Sequence, residues 1–227
     1  MSGLKPWKVS IAEAYAASNE DAIKTYMEYV IEPSMRALTE RAQALAASDD
    51  LTLRVFGGLS HEVVIETTSR ALCLGLQSIW EQQLRSILGH WAQQQGANRA
   101  LRDKIISNKW NEITSAFKEL RGLPLESFGA HEKLELLRQL ASVCRHGEGR
   151  SARNLRQSHP QWVSDTPHSN IPGPVLALSI ERLRVLANGI LHFWTELHLL
   201  AMEWLQAKSG GHEARISYLR HRKSSLA

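Results

Sequence analysis

The run Glu135-Leu-Leu-Arg-Gln-Leu-Ala-Ser-Val-Cys-Arg-His-Gly-Glu-Gly-Arg-Ser151 concentrates residues that can do chemistry. On a helical wheel with Arg138 at zero, Ser142 falls near about 40°, Glu135 near about 60°, His146 near about 80° and Arg145 near about 340°. Leu137, Leu140, Ala141 and Cys144 gather on the far side. One wall of this helix is therefore polar while the other feeds a core. Gly147 and Gly149 stop the helix at the histidine.

A wall of this kind suits a phosphodiester. Cleavage of RNA by its own 2'-hydroxyl needs a base, a stabiliser of negative charge and an acid for the leaving oxygen. Imidazole transfers protons near neutral pH. Guanidinium groups bind phosphate through paired donors and stabilise charge developing on its oxygens. His146, Arg138, Arg145 and Ser142 are the candidate catalytic residues. Glu135, one turn before Arg138, would orient it. Neither role needs a metal or a cofactor, and no Cys/His cluster has metal-ligand spacing. A structural reading stands beside this one. Arg and His in a last helical turn complement the helix dipole, glycine beyond them is an ordinary stop signal, and Glu135 with Arg138 makes a plain surface pair.

The elements that must position this wall read as helices. A first helix is expected over residues 10–47, with Pro33 kinking or interrupting it. Residues 51–56 could pair as a strand, although no partner strand is evident. A second helix is expected over 60–95, where Leu72, Leu76, Ile79, Trp80, Leu84, Ile87 and Trp91 recur at three- and four-residue steps. A third covers 99–120. The fourth runs from about 130 to 146 and carries the wall. A long polar loop over 147–174 follows, and such loops are often functional. A fifth helix covers roughly 175–207. The expected fold is all-α, an antiparallel bundle of about five helices in a single domain over 1–209, with a basic tail over 210–227.

Composition sets outer limits. A chain of 227 residues with 43% apolar and 22% charged residues can bury a large core. The formal net charge of +4 permits nucleic-acid contact without requiring it. The two cysteines, Cys73 and Cys144, lie in apolar helical patterns and read as buried thiols rather than a disulfide framework. The N-terminus lacks the apolar core of a signal peptide, and the apolar stretches are too short to span a membrane. A cytoplasmic protein without membrane attachment is the expectation.

The 135–152 run resembles the HEPN superfamily (higher eukaryotes and prokaryotes nucleotide-binding). A ribonuclease-like group of that superfamily ends a late helix in Glu-Leu-Arg, then Asn, then Lys-His-Gly-x-Gly-x-Ser-Ala. The matching positions here are Glu135, Arg138, Ser142, Arg145, His146, Gly147, Gly149, Ser151 and Ala152. The likeness is specific over about eighteen residues and general elsewhere. It implies a metal-independent endoribonuclease, with His146 as the catalytic histidine, Arg138 as its arginine and Arg145 holding phosphate. It also implies RNA as partner, a homodimer whose two motifs line one cleft, and a setting in antiphage defence or a toxin system with an antitoxin or defence partner protein. Two features differ from the usual motif of the superfamily. Ser142 stands where asparagine is usual, and seven residues rather than four to six separate Arg138 from His146. A catalytically silent binding or assembly protein of the same fold is the alternative.

Arg150, Arg153 and Trp162 in the following loop are, with Glu135, the candidate substrate contacts. Trp162 would either anchor the loop or stack on a base. Arg153 with His159, and Arg85 with His90, satisfy the arginine–histidine spacing more closely. The second pair diverges by about 140° on its helix. His192 and His198 read as core or interface residues, and the other tryptophans as packing groups. The basic tail would be a flexible arm on a nucleic-acid backbone, a short helix or a solvated end.

Overall fold

The computed structural model describes residues 9–163, 175–203 and 210–226. Among these residues every extended element is α, 3-10 or π helix, apart from one isolated bridge between Val163 and Leu176. The all-α class holds. The helices are more numerous and shorter than the five expected: α1 Val9–Tyr26, α2 Glu32–Ala46, α3 Gly58–Gln94, α4 Arg99–Ile106, α5 Trp110–Arg121, α6 His131–His146, α7 Arg150–Ser158, α8 Ile180–Glu203 and α9 Gly210–Leu226.

Several boundaries correct the sequence reading. The first expected helix is interrupted at Pro33, although the chain stays helical through the interruption. A π turn over Met27–Ile31 lies directly before the proline's helix, and the Glu32 N–H donates back to the Met27 carbonyl. The wider turn absorbs the register change around a residue that has no N–H to give. Residues 51–56 are helical rather than a strand, because a π turn over Leu53–Gly57 leads straight into α3. The third expected helix is two. Ser107 is extended, with ψ 147°, and its hydroxyl accepts the Lys109 N–H at 3.1 Å. That local bond competes with the helical one. The polar loop begins with helix α7, whose Ala152 and Leu155 are buried. The last long helix starts at Ile180 rather than near 175, and the remainder of the expected loop, 164–174, lies outside the described residues, as do 204–207.

Contacts divide the chain into two compact units. The first gathers the described residues within Met1–Ile23, Ser78–Lys133 and Asn188–Ala227. Aromatic rings dominate its core. Phe193 lies 6.2 Å from Trp80, 5.0 Å from Phe128 and 5.1 Å from Trp194 by ring centroids, and Phe117 lies 6.1 Å from Trp91. Edge-on and tilted arrangements suit the ring quadrupoles. Trp194 Nε1 donates to Gln83 Oε1 at 2.8 Å, so its polar atom is satisfied. The tryptophans named here act in packing, and His192 and His198 are buried with them.

The second unit gathers the described residues within Lys24–Gln77 and Leu134–Ala187. Its core is aliphatic: Ile31, Leu72, Leu76, Leu137, Leu140, Val143, Leu155, Leu183 and Leu186 are buried. Cys73 on α3 hydrogen-bonds Cys144 on α6, and neither is in a disulfide. That contact and burial push the Cys73 thiol up, while the same contact brings Cys144 down.

Candidate functional site

Helix α6 carries the polar wall. Leu134, Leu136, Leu137, Leu140, Ala141 and Val143 are buried, while Arg145 and His146 are exposed in its last turn. The amphipathic pattern fixes which face points outward. Its start is held in the first unit by a carboxylate from α8. Glu196 Oε1 accepts the Gly129 N–H and Oε2 the Ala130 N–H, both at 3.1 Å. These are donors just ahead of a helix N-terminus, which lack intrahelical partners. A Cβ at Gly129 would lie 3.1 Å from Glu196 Oε1, so the close approach favours glycine there. The end of α6 is set by Gly147, whose φ of 65° is left-handed and whose N–H donates to Val143 O at 2.8 Å.

Arg138 does not stand free on this wall. Its Nε and Nη2 donate to the two Glu135 oxygens at 2.8 and 2.5 Å, and Gln139 adds a third donor to Glu135 at 3.2 Å. The bond to Glu135 pushes the guanidinium up from its ordinary value. The two side chains are 36% and 31% exposed, so the pair adds no more than about 1 kcal/mol of stability. Ser142 is also engaged. Its hydroxyl shares a 2.9 Å hydrogen bond with Ser151 of α7, tying the two helices together across the Gly147–Gly149 turn.

Helix α7 places further cations beside that turn. Ala152 and Leu155 face inward, and Arg150, Arg153 and Arg156 are exposed. Glu148, the acid within the turn, is bound by both Nη atoms of Arg156, which holds its carboxyl below the usual range. Arg145, Arg150 and Arg153 enter no ion pair among the described residues. The exposed groups around the turn outside the Glu148–Arg156 pair are thus one imidazole and three guanidiniums on adjacent helical segments of one unit. They offer a phosphate charge, donors and a proton-transfer group.

The other candidates fall elsewhere. Trp162 is 6% exposed, under the Arg182 guanidinium at 5.2 Å from its ring, and so takes the anchoring role rather than that of an open stacking surface. Arg153 lies inside α7 while His159 follows its end. Arg85 is bound to Glu81 and to the Ile105 carbonyl, and His90 lies 4.7 Å from the Tyr15 ring. The tail is helix α9, and three of its cations are ion-paired: Arg220 with Glu203, Arg222 with Glu20, and Lys223 with Glu196. Glu196 and Glu20 gave no sequence signal, because their partners are far away in the chain. No group of His, Cys, Asp and Glu fit to hold a metal occurs among the described residues, and none of their helices is long and apolar enough to cross a membrane.

No protein-family model, curated protein or solved structure matches this chain.

Proposed function

We propose that the chain is a metal-independent endoribonuclease of HEPN type, working at the α6–α7 turn on the cytoplasmic side of a defence or toxin system. The observation that supports the reading most is the exposed His146 adjoining the exposed Arg145, with Arg150 and Arg153 on the next helix and the local acid Glu148 neutralised by Arg156. In this reading the 2'-oxygen of RNA attacks the neighbouring phosphorus and the 5'-oxygen leaves. A 2',3'-cyclic phosphate and a 5'-hydroxyl result. His146 moves the proton, and Arg145 binds the phosphate oxygens. Arg138 reaches phosphate only by exchanging its Glu135 carboxylate for it. A second copy of the chain would complete the cleft.

A second reading is favoured by a specific observation. Arg138 and Ser142, the residues at the head of the motif, are engaged by Glu135 and Ser151. That arrangement suits a silent binding or assembly protein whose cationic turn recognises RNA without cutting it. Purified protein and a His146→Ala variant incubated with mixed RNA in chelator separate the two. Cleavage to cyclic-phosphate ends by the first alone supports catalysis. RNA binding without cleavage by both supports the second reading, and neither binding nor cleavage removes the site.

A further inference from the structure

The chain has two cysteines, and the fold brings them together. Cys73 lies within α3, and Cys144 lies near the end of α6, just ahead of Arg145 and His146. Both helical segments belong to the second unit. The two thiols share a hydrogen bond, and both are free. A single buried cysteine is an ordinary small packing group. Contact between the only two is a different matter, because it offers each thiol a reaction with the other that no aliphatic neighbour shares.

The pair is unequal in access and in charge. Cys73 is 0% exposed, whereas Cys144 keeps partial exposure. A reagent from solvent therefore meets Cys144 first. The thiolate is the reactive form of the group. The Cys73 contact, the Arg70 guanidinium and a backbone donor bring the Cys144 thiol down, against its own burial and the Glu66 carboxylate. The same contact and deeper burial push Cys73 up. One sulfur is thus reachable and the more easily ionised, and the other waits behind it, out of reach of solvent. That is the arrangement of an attacking cysteine beside a resolving one.

We propose that Cys73 and Cys144 form a reversible oxidation site, which hydrogen peroxide closes into a disulfide joining α3 to α6. The Cys144 sulfur attacks one peroxide oxygen and the O–O bond breaks. The other oxygen leaves as hydroxide and takes up a proton to become water. Sulfur gives up two electrons, and Cys144 becomes a sulfenic acid. The Cys73 sulfur then attacks the Cys144 sulfur. The S–O bond breaks, and the oxygen departs as water with the proton that Cys73 loses. Two thiols and one hydrogen peroxide give one disulfide and two waters. A dithiol reductant restores the pair by exchange and is itself oxidised to a disulfide. Transient, redox-sensing disulfides are the kind found in reducing compartments. The reaction uses none of the exposed groups at the α6–α7 turn, so it stands whether or not that turn cleaves RNA.

The test treats the reduced full chain, freed of reductant, with excess hydrogen peroxide. We expect both titratable thiols to vanish together, the intact mass to fall by two hydrogens, and peptide mapping to join Cys73 to Cys144 within one chain. Dithiothreitol should return both thiols. In Cys73→Ser the oxidation should stop at a sulfenic acid on Cys144, which dimedone labels. In Cys144→Ser the buried Cys73 should react at least about tenfold more slowly than Cys144 does in Cys73→Ser. Thiols that stay free, sulfinic acid on Cys144 beside an intact Cys73 thiol, a disulfide between two chains, or equal rates in the two variants overturns the proposal. The mass and mapping results are read on the unaltered chain, so they do not depend on the folding of a variant.

Discussion

Replacing Glu196 tests how α6 is held. The Ala130 N–H is buried, and its acceptor would vanish in Glu196→Ala. A buried donor left unsatisfied is destabilising by about 1–3 kcal/mol. The Gly129 N–H belongs to an exposed residue and can turn to water, so its loss adds little. Lys223, 42% exposed, is likewise rehydrated, and its ion pair with Glu196 is discounted to about 1 kcal/mol or less. Loss of a capping acceptor at a helix start is itself destabilising by about 0.5–2 kcal/mol, and this overlaps the first term rather than adding to it. The expected total for Glu196→Ala is about 1–4 kcal/mol. Glu196→Gln keeps one acceptor for Ala130 but turns an amide NH2 toward the second donor and the ammonium. It should fall about halfway.

Equilibrium urea unfolding at neutral pH measures the series, with a constant slope as the check that only stability has changed. The predicted order is Glu196→Ala most destabilised, then Glu196→Gln, then Lys223→Ala. If the ion pair rather than the cap holds the helix, Lys223→Ala and Glu196→Gln will coincide. That result, or a loss under about 1 kcal/mol for Glu196→Ala, refutes the argument.

Three further outcomes are expected. His192 is 3% exposed with both ring nitrogens lacking hydrogen bonds among the described residues, and burial depresses its pKa, opposed by Glu196 and assisted by Lys133 and Lys223. The folded state keeps the ring neutral while the unfolded chain takes a proton near the ordinary 6.5, so stability is fully present above that pH and falls as the pH drops below it; urea midpoints from pH 7.5 to 5 should fall less steeply in His192→Phe, and parallel curves would contradict the assignment. A double-mutant cycle on Ser142→Ala and Ser151→Ala should give a coupling of about 0.5–1.5 kcal/mol, and strictly additive losses would show that the α6–α7 tie carries no energy. If RNA binds at the α6–α7 turn, Arg150→Ala with Arg153→Ala should flatten the slope of log affinity against log salt by about 1.4 for single strands, whereas an unchanged slope places the RNA elsewhere.

Local pattern made α6 readable at both ends. The apolar positions fixed its buried face, and glycine at 147 supplied the left-handed residue that ends it. The packing roles of Trp80, Trp91, Trp110 and Trp194 were readable for the same reason, since they follow helical spacing. Three things were not. Residues 51–56 alternate like a strand, yet no partner strand occurs among the described residues and the chain prefers to extend α3 through a π turn. Helix α7 shows only the spacing of Ala152 and Leu155 within a polar segment, and its helical state depends on burying those two residues and on the Ser142–Ser151 bond. The Glu196 cap and the Glu20–Arg222 pair join residues 66 and 202 positions apart, and no local periodicity encodes such contacts.

The same distinction bears on the site. The sequence motif places its weight on Arg138 and on its distance from His146, and there the chain departs from the pattern it resembles. The structure shifts the weight by showing which guanidiniums are engaged. Arg138 and Arg156 each face a carboxylate, and Arg220 and Arg222 do so in α9. Arg145 and Arg150 enter no such pair among the described residues, and Arg153 acts on Glu148 by charge without a close ion pair. An anion arriving at this surface meets the uncommitted donors first, because displacing a carboxylate already held by two nitrogens forfeits those bonds before any new one forms. A phosphate would then sit over the α6–α7 turn, next to His146, where the spacing back to Arg138 no longer governs reach. Arg138 would act on the backbone of a longer substrate or through Glu135, as a group that keeps the wall in place. On that account the extra residue in the motif lengthens the wall without emptying the site.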